Sequence, residues 1–277
     1  MRKSLPTAIA LFGIILAATP ASSQSFWEQA DALPWVRNGS FSIGPWASVQ
    51  ITPQTKALGE RDTSTFLELN GNPPTTSTYL VSYEDYRWFA TLRFDPSGYV
   101  KDDEKIDPDA LLETLKEGNR AGMEDRKKRG LDPLRLEGWI IPPHYDVQTK
   151  RLEWGTKLRN EVDNRITVNY SSRILGREGV MKATLISDPE SLTENVAAFH
   201  NMLRNFSFAN GQRYEQFRDG DKVAAYGLGA LVVGGAAAAA VKGGAGMFKI
   251  IGIAVLGFFA AIGGFLKNMF SRKSSDK

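Results

Sequence analysis

The chain has 277 residues and a formal net charge of +3, from 34 lysines and arginines against 31 aspartates and glutamates. It has no cysteine and only two histidines, His144 and His200, which excludes disulfides, thiolate catalysis and cysteine metal centres and leaves little for a transition-metal site. The positive charge sits at the ends. Residues 24–222 hold 26 basic and 30 acidic groups, so a basic folded face for nucleic acid is not indicated.

The start, "MRKSLPTAIALFGIILAATPASSQ", joins a positive Arg2-Lys3 flank to an apolar run from Ala8 to Ala18 and small residues at Ala21 and Ser23. This predicts a secretory signal peptide over 1–23 and a mature chain from near Gln24, because the run is short for a bilayer span. An uncleaved signal anchor is the alternative.

Residues 24–221 predict an exported periplasmic domain of α+β class, an antiparallel sheet with packed helices and no internal repeat. In "YRWFATLRF" the alternation puts Tyr86, Trp88, Ala90, Leu92 and Phe94 on one face of a strand. The acids of "DPSGYVKDDEKIDPDALLETLKEGN" do not fall at the spacing of a calcium loop. They suit a helix start instead, with Asp107 as N-cap, Pro108 at N1 and Asp109 in the first turn. The run "EDRKKRG" then closes that helix, with basic residues in its last turns and Gly130 as terminator.

The weak candidates for acid–base chemistry are Asp102, Asp103 and His144, the last in a proline-stiffened loop, "PPHYD", beside Tyr145 and Asp146. Nothing nearby completes a triad or a ligand set. In "RLEWGTKLR", Leu152, Trp154 and Leu158 oppose Arg151, Glu153, Lys157 and Arg159, which reads as a half-buried strand. "RITVNYSSRIL" and "VMKATLI" form the arms of a hairpin turning at "GREG", Gly176 to Gly179. A helix follows in "SLTENVAAFHNMLRNF", opened by a Ser191 and Glu194 capping box, with Leu192, Val196, Phe199, Leu203 and Phe206 as one apolar stripe. His200, beside that stripe, reads as a hydrogen-bonded structural histidine.

Residues 222–267 predict a membrane region, followed by a basic tail over 268–277. Val223 to Val241 is uncharged but rich in alanine and glycine, and Ile250 to Leu266 is a bulkier and firmer span. Gly227 and Gly229 begin a G-x-G, but Val232 stands where a phosphate cradle needs its third glycine. Small-x-x-x-small pairs, Ala230 with Gly234 and Ala260 with Gly264, would allow close helix packing in a membrane. One span keeps Lys267, Arg272, Lys273 and Lys277 in the cytoplasm, as the positive-inside rule prefers, whereas a hairpin would export them. One span and a hairpin both stay open.

Five separated phrases, "GYVKDDEKIDPDALL", "RKKRG" with "GWIIPPHYD", "RLEWGTKL", "VNYSSRILGREG" and "GDKVAAYGLGALVVGG", together resemble a family of bacterial membrane-anchored proteins catalogued as a domain of unknown function. The resemblance spans nearly the whole mature chain and implies an exported domain with a C-terminal membrane region. It implies no substrate, cofactor or catalytic residue. It leads to a polar residue where Met123 stands, which argues against that position lying in a shared polar site.

Three function classes follow. The favoured one is a non-enzymatic envelope protein anchored in the inner membrane, in contact with the lipid bilayer and binding a protein or lipid partner, without cofactor, metal or nucleic acid. The second is a hydrolase using the acids and His144, which requires Asp102 or Asp103 close to His144 in a deep pocket. The third is an accessory subunit of a membrane transport assembly, held by the C-terminal apolar segments.

Overall fold

The structure is a computed structural model and describes residues 25–234. The expected signal peptide, the segment 250–266 with Ala260 and Gly264, and the basic tail lie outside the described residues. No helix among the described residues is long and apolar enough to cross a membrane.

Ser25 opens α1 (Phe26–Asp31) through a capping box with Glu28. There follow β1 (Gly39–Ile43), β2 (Ala47–Ile51), β3 (Thr55–Leu58), α2 (Glu60–Leu69), β4 (Tyr79–Tyr83), β5 (Phe89–Asp95), α3 (Pro108–Lys128) and β6 (Leu134–Asp146). The chain continues through β7 (Arg151–Asn160), β8 (Ile166–Leu175), β9 (Val180–Ser187), α4 (Leu192–Arg204), β10 (Phe206–Phe208), a 3-10 turn at Tyr214–Gln216, and α5 (Leu228–Val233). The α+β class and the antiparallel pairing are those read from the sequence.

Seven strands form one sheet in the order β3-β4-β5-β9-β8-β7-β6, and a small sheet runs β1-β2-β10. Both faces of the large sheet are covered. On one side Ala30 of α1, Phe66 of α2, Leu115 of α3 and Leu228 of α5 join Phe89, Leu152, Trp154 and Ile186 in a core. On the other, Phe41 and Val49 of the small sheet and Phe199 of α4 meet Trp88, Leu92, Tyr170 and Leu185. This double covering changes two strand readings. The face of β7 that carries Glu153 is solvated only in part, at Arg151, Lys157 and Arg159, and Glu153 is buried. Tyr86 precedes β5, takes a positive φ of 59° and turns to the opposite core from Trp88, where its ring lies 3.5 Å from the ammonium of the buried Lys56.

Local chemistry explains where the helices begin. The Asp107 carboxylate accepts from Asp109 N at 3.1 Å and Ala110 N at 3.2 Å, Pro108 occupies the first position, and Arg126, Lys127 and Lys128 fill the last turn. At α4 the expected capping box does not form. Asp188 accepts from Ser191 N at 2.6 Å, and Glu194 is drawn to Arg87 at 3.1 Å, so both would-be members of the box have other partners. Phe206, expected on the helical stripe, starts β10 instead.

The "GREG" turn closes β8 on β9, with Gly176 N donating to Gly179 O at 2.8 Å. A β-carbon at Gly179 would stand 2.1 Å from Asp95 O, so the neighbouring backbone requires glycine there.

The predicted domain end at 221 falls inside the fold. Tyr99 N donates to Lys222 O and Ala224 N to Tyr99 O, each at 2.8 Å, and Val223 makes a parallel bridge with Tyr99. Gly98, at φ 98°, leaves room for this approach, since a β-carbon there would lie 2.6 Å from Lys222 O. Beyond it, Leu228, Leu231, Val232 and Val233 are buried in the core beside α3. The first part of the alanine- and glycine-rich segment therefore covers the domain.

Candidate functional site

Asp102 follows β5 on the loop to α3, and its carboxylate meets the turn between β6 and β7. Tyr145 Oη and Lys150 Nζ each donate to Asp102 Oδ2 at 2.9 Å. Burial pushes this carboxyl up, but the hydrogen bonds from Lys150 and Tyr145 lead the effects that outweigh it and hold the group below its ordinary value. Burial and the adjacent carboxylate push the Tyr145 hydroxyl up. Tyr214 stacks on Tyr99 with centroids 4.4 Å apart and donates to Val100 O at 3.1 Å. The result is an ion pair that ties a loop to a turn. A general acid would need the opposite shift.

His144 is not brought to Asp102. "PPHYD" ends β6, the edge strand of the large sheet, rather than forming a loop, and the strand shifts register between Ile141 and His144. Pro142 and Pro143 have no N–H for the ladder, which an edge strand tolerates through such irregularities. His144 is exposed, with Nδ1 3.2 Å from Pro142 O, while the next side chain, Tyr145, reaches Asp102. Asp103 is exposed. The acid–histidine pocket required by the hydrolase reading is not assembled from these three residues.

Two other sequence features take structural places. His200 Nε2 lies 3.1 Å from Glu153 Oε2, and Tyr170 Oη donates to the same oxygen at 3.0 Å. Burial pushes the Glu153 carboxyl up, yet the His200 contact more than compensates and the group lies below its ordinary value. The glycines of the failed phosphate motif hold a carboxylate of this chain: Gly229 N donates to Glu104 Oε2 at 2.9 Å, and a β-carbon on Gly227 would sit 2.2 Å from that oxygen. Ala230 is half-buried on α5, and Gly234 caps that helix at φ 123°. No group of side chains suited to a metal ion occurs among the described residues.

A concavity lies beside the Asp102 pair. It is a cleft of about 590 Å³ between the β7–β8 end of the large sheet, the end of α4 and β10. Its charged lining is Lys150, Arg151, Arg204 and Arg213, with Glu215 as the acid. Its apolar lining is buried Ile174 and Leu203 together with half-buried Phe206 and Phe208. Lys150 is engaged by Asp102, whereas Arg151, Arg204 and Arg213 make no ion pair among the described residues. Arg204 donates only to the neutral Asn201, at 3.0 Å.

The fold places these arginines from distant segments. Arg151 pairs in register with Ile174, α4 delivers Arg204 at its last residue, and Arg213 bridges to Gly176. A β-carbon at Gly176 would stand 2.9 Å from the Phe208 ring, so the missing side chain lets that ring close the wall. Sequence reading did not find this cleft, because its cations lie in three unconnected stretches and follow no spacing rule. Such a surface can bind anions through planar guanidinium forks and carries no paired acid and base.

No curated protein matches the chain. Among solved structures, the solution structure of cyanobacterial PsbP (CyanoP) from Synechocystis sp. PCC 6803 is similar at 9% identity, covering 63% of this chain and 94% of that chain with a TM-score of 0.36. A likeness of that size carries no functional argument. Residues 36–270, which include the Asp102 pair and the whole cleft, match the family described as Protein of unknown function (DUF2167), and the chain belongs to that family.

Proposed function

We propose that this protein is a non-enzymatic bacterial envelope protein whose domain is exported to the periplasm, tethered to the inner membrane by segment 250–266, and binds a partner through the cleft beside β10. The observation that carries the reading is the cleft itself, where Arg151, Arg204 and Arg213 stand without an ion pair among the described residues. Unpaired guanidinium groups around a concavity are a recognition surface for a negatively charged partner. The sequence supports export and tethering through the signal-like start and the late apolar segment. The engagement of Asp102 by Lys150 and Tyr145 supports binding over hydrolysis.

The test is chemical cross-linking of the full-length protein in detergent, beside an Arg151→Glu, Arg213→Glu variant of equal thermal midpoint. The wild type should retain a partner that the variant loses. Identical cross-linked sets from both proteins would overturn the reading, and hydrolysis of test substrates abolished by Asp102→Asn would establish an enzyme instead.

A further inference from the structure

We propose that the ligand of the cleft is a phosphate ester, held by Arg151, Arg204 and Arg213 with its organic part on Phe206 and Phe208. The inference rests on the binding reading above and adds the chemical class of the ligand. Charge decides first. Three arginines without an ion pair among the described residues share the lining with one acid, Glu215, since the Lys150 charge is already met by Asp102; Asp146 and Glu153, outside the lining, act on Arg151 alone of the three. One carboxylate on a ligand would leave this lining positive, whereas a phosphate monoester brings about −1.5 to −2 charges in one group. Its oxygens also accept from several planar forks at once, the geometry in which arginine surpasses lysine.

The apolar side decides next. A purely ionic site has no use for two half-buried phenyl rings over buried Ile174 and Leu203, but an ester with an apolar portion covers them. Phe206 and Phe208 hold each other edge to face at 5.1 Å, which fixes the surface before a ligand arrives. Membrane phospholipids and soluble organic phosphates share this chemistry.

The experiment is calorimetric titration of the full-length protein in a non-ionic detergent at low salt. The probes are inorganic phosphate, glycerol 3-phosphate and short-chain dihexanoyl phosphatidic acid. The esters should bind, with affinity falling as salt rises, and an Arg151→Gln, Arg213→Gln variant with an unchanged thermal midpoint should bind about tenfold more weakly or worse. Glu215→Gln should strengthen binding. Tighter binding of the lipid than of glycerol 3-phosphate, lost in Phe206→Ala, assigns a membrane source; equal binding of the two assigns a soluble one.

No binding of either ester, or equal affinity in wild type and the glutamine variant, would overturn the proposal. A cross-linked partner lost on charge reversal, with no ester bound, leaves the binding reading intact and removes the phosphate. Loss of both results removes both.

Discussion

Arg177 holds the final stretch of the domain through one residue. Its Nε and Nη2 donate to the two oxygens of Asp221 at 2.6 Å each, and these bonds bring the carboxyl down to about 2 from an ordinary 3.8. A carboxyl depressed by folding stabilises the fold above its unfolded value and loses that contribution as the pH falls through its folded value. The thermal midpoint of Asp221→Asn should therefore lie below that of the wild type by a constant gap near neutrality. The gap should close between about pH 4 and pH 2, and a gap that persists undiminished at the acid end would show that the pair is not its source. Residues with local partners were legible in the sequence: Asp107, Pro108 and Asp109 cap α3 through neighbours one to three positions away. Those with distant partners were not. Asp102 was singled out for its acidity, but its role depends on Tyr145 and Lys150, over forty residues along the chain.

Among the elements, α5 shows how far a local pattern can be read. Its composition is that of a weak membrane segment, and nothing in Leu228–Val233 announces that Leu231 and Val232 find buried places in the domain. Leu231→Ala should lower the unfolding free energy of the domain by about 2–4 kcal/mol, the usual cost of deleting a buried leucine side chain. A denaturant midpoint unmoved by the change would mean that this turn contributes nothing to domain stability. At Gly234, where φ is 123°, a leucine would strain the backbone, so that substitution reports on the α5 cap as well as on any membrane packing. The strands were more legible than their environments. Alternation located β5 and β7, and the glycine turn with its β-branched arms located β8 and β9, but a one-sided pattern could not foresee that α4 and the small sheet bury the second face. The edge strand β6 was hidden by its two prolines, which read locally as a loop.

The same contacts carry the folded unit past Lys222. A version ending at Lys222 lacks the Val223 bridge, the Gly229 contact with Glu104 and all of α5. One ending at Gly234 keeps them. The longer version should melt cooperatively and well above the shorter one in circular dichroism, and equal midpoints would show that residues 223–234 add nothing to the stability of the domain. The stretch from Arg213 to Gly234 also joins two parts of the molecule usually considered apart: it begins as a wall of the cleft, is clamped at Asp221 and Val223, and ends under α3. The irregular stretch between the cleft and α5 is thus held at these points. Tension applied beyond Gly234 loads these clamps in series, and a ligand bridging Arg151 to Arg213 adds a rivet at the far end of that line, raising the force needed to peel it away.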